Sequence, residues 1–208
     1  MQQPSQPRSP RSNRERTETT RHALLEAARA LFVSKGYGDT STPEVSVAAG
    51  TTRGALYHHF VDKRDLFRHV LQREAEAVRN DIVAAAPAGL GAHEALIAGS
   101  EAYLQAMAVP GRTRLLLLEG PAVLGLAETA AIDESNAAET LHAGLAAAVG
   151  GDDDVSIDAL SKLLSAAFDR AALEIDAGGD PEVVKAAMLW LLQRALGKGG
   201  DKTARKRK

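Results

Sequence analysis

The chain has 208 residues, 45% of them apolar and 4% aromatic, and no cysteine, which leaves material for a core but excludes disulfides and thiolate metal sites. No apolar run approaches the roughly 18 residues that span a bilayer, since Leu115–Leu118 ends at once in Glu119. The Arg-, Pro-, Ser- and Gln-rich start lacks the apolar segment of a secretory signal, so no membrane association and a cytoplasmic location are expected.

The formal charge of −2 conceals an asymmetry. Residues 1–70 carry 11 Lys/Arg against 7 Asp/Glu, residues 71–197 carry 8 against 19, and residues 198–208 carry 6 against 1. A basic front end on an acidic body fits a polyanion-binding head joined to a non-binding body. Two solubilising tails on an acidic domain would give the same numbers.

In chain order, residues 1–16 read as a disordered basic arm, because nothing there builds a core. A first helix is predicted over 19–35, where Leu24, Ala27, Ala28, Leu31 and Phe32 form one apolar stripe and Gly36 follows as the stop. A short helix capped by Thr42, with Pro43 at its first position and Glu44 in its first turn, ends at Gly50. Thr51 or Thr52 caps a second short helix over 53–59, and Asp62 caps a long one running from Lys63 to about Ala86, ended by Pro87. Helices are predicted beyond it over 92–108, 111–118, 121–149 with interruptions, 154–177 and 181–196, the last punctuated by Asp180, Pro181 and Gly197. No period-2 strand pattern occurs, so the fold class is all-α, with a basic tail over 198–208.

Two short helices joined by a tight glycine turn, behind a longer helix, form the helix-turn-helix pattern, whose second helix fits the major groove of DNA. Thr51, Thr52, Arg53, Tyr57, His58 and Lys63 offer hydroxyl, guanidinium, phenol, imidazole and ammonium donors in that segment, while Leu56 and Phe60 offer apolar anchors. His58 and His59 are adjacent on a helix and point about 100° apart, so they do not grip one ion, and neither a metal nor another cofactor is expected.

The run Gly36-Tyr37-Gly38-Asp39-Thr40-Ser41, then Val45, Ala49-Gly50, Gly54, Leu56-Tyr57-His58-His59-Phe60, Lys63 and Leu66, resembles the signature of the TetR/AcrR (tetracycline-repressor-type) regulators. Thr20-Arg21, Ala27-Ala28 and Leu31-Phe32 match it upstream, while Pro43, Ser46 and Thr51 depart from it. The resemblance implies a three-helix helix-turn-helix DNA-binding domain over 17–70. It implies phosphate contacts for Thr40, Thr42, Thr52, Tyr57, His58 and Lys63, and a base contact for Arg53. Tyr57 could instead bond locally, Arg53 could rest on phosphate alone, and His59 could be structural. Arg8, Arg11, Arg14, Arg16 and Arg21 either reach the minor groove or form a solubilising arm.

The same resemblance implies that 71–197 is a helical regulatory domain that dimerises and encloses a site for a small-molecule effector. Stripes at Leu160, Leu163, Leu164, Ala167 and Phe168, and at Val184, Ala187, Met188, Leu191 and Leu192, suit a homodimer interface through the helices at 154–177 and 181–196, or an intrachain core. The segment from Leu115 to Gly125 looks like a motif of one subgroup. Tyr103, Met107, Leu115, Leu118, Leu124 and Phe168 are candidate pocket residues, as is Trp190, and Glu119 is a candidate selector for a cationic ligand. The whole then reads as a repressor released from a palindromic operator by its effector. The rivals are a ligand-independent architectural DNA-binding protein and an enzyme. The chain has no GxSxG, no Gly-rich phosphate loop, no HExxH and no cysteine nucleophile, and Asp152 and Asp153 read as loop charges, so an enzyme is not expected.

Overall fold

The computed structural model describes residues 13–149 and 155–197. Arg8, Arg11, Asp152, Asp153 and the basic tail lie outside the described residues. Those described are helical throughout: α1 (Asn13–Asp39), α2 (Thr42–Ala48), α3 (Arg53–His59), α4 (Lys63–Ala85) and α5 (Ala92–Met107), then a π-helical turn (Arg114–Glu119). They continue with α6 (Gly120–Leu124), α7 (Leu126–Glu134), α8 (Ala137–Ala148), α9 (Ile157–Asp176) and α10 (Pro181–Ala195). No strand occurs among the described residues, and the fold is all-α. The chain divides into two compact units, one through Val70 and one from Leu71.

In the first unit α1 begins at Asn13, so 13–16 belong to the helix and not to the arm. Glu15 suits its first turn, and the hydroxyls of Thr19 and Thr20 fold back onto the Glu15 and Arg16 carbonyls at 2.7 and 2.9 Å. The helix breaks at Gly36, whose φ of 83° suits glycine alone, and resumes as one further turn. Leu24, Phe32, Val45, Leu56, Leu66 and Phe67 close the core, each fully buried, and the rings of Phe32 and Phe67 meet edge to face at 5.1 Å.

The cap of α2 is Ser41, one residue before the Thr42 expected from sequence. Ser41 Oγ accepts from the Glu44 amide at 3.4 Å, and the Glu44 carboxylate accepts from the Ser41 amide at 3.0 Å. The reciprocal box needs Ser three residues before Glu, which Ser41 satisfies and Thr42 does not.

The second unit is a layered helical body. Leu96, Leu104, Leu145, Leu164, Phe168, Met188 and Leu192 join α5, α8, α9 and α10 into one core. Val78, Ala106, Met107 and Ala172 form a smaller one. The predicted helical stretch 121–149 is three helices, broken at Gly125 (φ 88°) and around Ser135-Asn136. Arg112, 9% exposed, is anchored between α5 and α4: its Nε donates to Glu74 Oε2 at 2.9 Å and its Nη1 to the Ala106 carbonyl at 2.8 Å. No described helix is long and apolar enough to cross a membrane.

Candidate functional site

The turn from Ala49 to Thr52 sets α3 against α2. Gly50 has a φ of 64° with open space around its Cα, so the residue is required for its backbone conformation and not for room. Thr52 caps α3, its hydroxyl accepting from the Ala55 amide at 3.1 Å. Leu56 and Phe60 plug into the core, which turns Thr52, Arg53, Tyr57 and His58 to the surface. The Arg53 guanidinium lies 5.4 Å from the Tyr57 ring centroid, and Tyr57 Oη is 3.0 Å from Thr42 Oγ1. These contacts fix two long side chains before any ligand arrives.

The other candidates stand differently. Thr40 is 1% exposed and its hydroxyl donates to the Gly36 carbonyl at 2.8 Å, so its side chain is not presented as a phosphate donor. Thr42 is buried and bonded to Tyr57. The Lys63 ammonium donates to the carbonyls of Tyr37 and Thr40, both at 2.9 Å, and lies 4.2 Å from the Tyr37 ring centroid. It closes the loop at the end of α1 and is not turned outward. Thr51 is half-buried. Ser46, a departure from the family pattern, is satisfied by the Thr42 carbonyl at 3.0 Å. Among the described residues no three His, Cys, Asp or Glu side chains gather as metal ligands.

The second unit holds a cavity of about 390 Å³ with Leu71, Val78, Met107, Leu116 and Leu117 in its walls. A smaller one of about 220 Å³ shares Tyr103, Asp133 and Ala137 with it and reaches Leu96, Gly99 and Phe168. Tyr103 Oη donates to Asp169 Oδ1 at 2.6 Å, and Asp169 lines the larger cavity. Burial first, and then the Asp169 charge, push the Asp133 carboxyl up to about 6. Burial likewise raises Asp169, against the lowering effect of the Tyr103 hydrogen bond.

Residues 24–70 match the family model for bacterial regulatory proteins of the tetR family, and residues 93–198 match the tetracyclin repressor-like C-terminal domain. The chain belongs to the TetR family. The HTH-type transcriptional repressor BepR of Brucella suis is 43% identical over 54 residues, and the regulator AcrR of Shigella flexneri is 47% identical over 53. These alignments cover 26% of this chain, and 26% and 25% of those relatives, so the chain spans about a quarter of the curated relatives it matches. A crystal structure of a TetR-family transcriptional regulator from Pectobacterium atrosepticum is 30% identical, with a TM-score of 0.66, covering 89% of this chain and 97% of that one. The TetR family is one of DNA-binding transcriptional regulators and not of enzymes.

Within this TetR-family body the candidate pocket residues separate. Tyr103, Met107 and Phe168 line the cavities. Leu115 is buried at 1% exposure outside their walls, Leu124 is buried likewise, and Leu118 is half exposed. Leu116 and Leu117 take their place. The leucine run lies in a π-helical turn, whose wider i→i+5 spacing differs from the facing an α-helix would give it. Trp190 is exposed under Arg194, and Glu119 pairs with Arg114 at 3.0 Å. Asp133 and Asp169 are the ionisable cavity residues that sequence reasoning missed; for Asp169 a lone carboxylate inside the apolar stripe Leu164–Leu173 was the available signal.

Proposed function

We propose that the protein is a cytoplasmic repressor that binds a palindromic operator as a homodimer and is released by a small-molecule effector. The DNA-binding domain extends through about residue 70 and the regulatory domain to about 197, flanked by a basic arm that ends before Asn13 and by the tail 198–208. The observation that carries the reading is the exposed set Thr52, Arg53, Tyr57 and His58 on a short helix held by a fully buried core. Arg53 reads a base edge, with guanine the natural partner of its planar fork. Thr52, Tyr57 and His58 hold phosphates, assisted by the α4 N-terminus.

Pairing is supported by the outer faces of α9 and α10. Leu163, Val183, Trp190 and Leu191 are 71%, 65%, 59% and 40% exposed, on two helices whose inner faces bury Leu164, Phe168, Met188 and Leu192. Two copies of that face make a four-helix interface and align two recognition helices. Helix α4 runs continuously from Lys63 into the walls of the larger cavity, through Leu71, Ala75 and Val78. An effector that displaces those side chains shifts the helix, with a coupling of roughly 1–3 kcal/mol.

The test is selection from randomised DNA at about 150 mM salt, where non-specific binding is weak. Enrichment of a palindrome with half-sites separated by whole helical turns supports the reading. Absence of any motif, or binding that vanishes when 1–12 and 198–208 are removed, overturns it in favour of an architectural protein.

A further inference from the structure

We propose that the effector is a lipophilic organic cation, with an ammonium or amidinium group held between Asp133 and Asp169 and an apolar body filling the larger cavity. The inference rests on reading that cavity as the effector site. About 390 Å³ falls in the range of small-molecule sites, and the walls are mostly aliphatic. The ionisable groups lining the two cavities are Asp133, Asp169 and Tyr103, with no Lys, Arg or His among them. Asp133 sits on α7, Asp169 on α9 and Tyr103 on α5, so three elements converge to place one sign of charge in an apolar chamber.

Neither carboxylate forms an ion pair with a Lys, Arg or His among the described residues. Asp169 accepts from Tyr103, and Asp133 from the Ala138 amide. Two carboxylates sharing an apolar wall carry uncompensated negative charge near neutral pH, and a cation entering between them relieves it. Four of the five hydroxyls lining the two cavities are already donating: Tyr103 to Asp169, Ser100 to the Leu96 carbonyl, Thr129 to the Gly125 carbonyl and Thr140 to the Ala137 carbonyl; the fifth, Ser165, lines the smaller cavity and not the larger. No third His, Cys, Asp or Glu among the described residues joins the two carboxylates as a metal ligand, and the walls around them are mostly aliphatic. An organic cation takes its few hydrogen bonds from the carboxylates and gives its remaining surface to the aliphatic walls.

The test uses three probes with one ring system: 1-naphthylmethylamine, which is cationic, the neutral 1-naphthalenemethanol and anionic 1-naphthylacetate. Their Kd values are measured by titration calorimetry at pH 7.5 on the full chain and on Asp133→Asn and Asp169→Asn. The amine is expected to bind at least about tenfold more tightly than the alcohol, and the acetate most weakly. Each Asn variant is expected to narrow the amine–alcohol gap, and a cooperative thermal unfolding transition shows that the variant is folded. If one variant does not fold, the other, on a different helix, is read alone. An alcohol or acetate that equals the amine, no amine binding at millimolar concentration, or amine binding unchanged in the folded variants overturns the proposal. DNA release is scored separately on the selected operator. Amine binding without release contradicts the effector-release reading and leaves the ligand class standing. Release by neutral or anionic probes alone does the reverse.

Discussion

Tyr57 Oη and Thr42 Oγ1 lie 3.0 Å apart, joining α3 to the first turn of α2 across fifteen residues of sequence. This bond crosses between the two helices of the helix-turn-helix, and it holds the Tyr57 ring beneath Arg53. Thr42→Val keeps the shape and removes the hydroxyl. It is expected to lower the thermal midpoint by about 2 °C. In a Tyr57→Phe background the same change is expected to have little further effect, because the bond is already gone. Fully additive midpoint shifts across that cycle would show that the two hydroxyls do not cooperate.

Lys63 serves the loop between α1 and α2. Its bonds to two carbonyls place it among charge-assisted hydrogen bonds, so Lys63→Met is expected to cost about 1.5–3 kcal/mol in urea unfolding. The dependence of operator affinity on salt separates this role from a phosphate contact. Loss of a phosphate contact lowers the slope of log K against log salt by about 1, whereas Lys63→Met is expected to leave it unchanged.

Asp133 makes stability depend on pH in a stated direction. Its carboxyl titrates at about 6 in the fold, above its ordinary 3.8, because burial and the Asp169 charge penalise ionisation. The stability that protonated Asp133 contributes is therefore full below about pH 4 and lost as pH rises through 6. Asp133→Asn cannot ionise, so its thermal midpoint is expected to gain on the wild type between pH 4.5 and pH 7.5. A constant difference across that window would contradict the shift. Cation binding has the opposite sign and is expected to weaken below pH 6.

Glu74 and Arg112 are 5% and 9% exposed at the side chain and 2.9 Å apart. Removing one partner breaks a buried charge pair, so Glu74→Leu or Arg112→Met is expected to destabilise by about 3–5 kcal/mol in denaturant unfolding. The double variant replaces both charges with apolar groups and is expected to recover most of that loss. Equal loss in the double and single variants would indicate that packing, and not charge, dominates there.

Much of the fold was legible because its signals are local. The span 53–59 follows from Thr52 as cap and the histidine-phenylalanine end, and 181–195 from Asp180 and Pro181. The candidate DNA-facing side chains were legible as donors, but their orientation was not. Thr40, Thr42 and Lys63 look like phosphate ligands until the fold brings Gly36, Tyr37 and Tyr57 within hydrogen-bonding reach. The cavity was the least legible part. Its leucines depend on a π-helical turn that no α-helical period anticipates, and its carboxylates lie on helices thirty-six residues apart in sequence.

The central claim is that Arg53 reads sequence from the recognition helix. The most direct measurement compares wild type and Arg53→Ala by fluorescence anisotropy at about 150 mM salt, on the selected operator and on a scrambled duplex of the same length. Loss of a bidentate base contact costs about 1–3 kcal/mol, so operator affinity is expected to fall roughly 5- to 150-fold, with scrambled binding changed far less. An equal loss on both duplexes would place Arg53 on phosphate alone and contradict base readout from this residue.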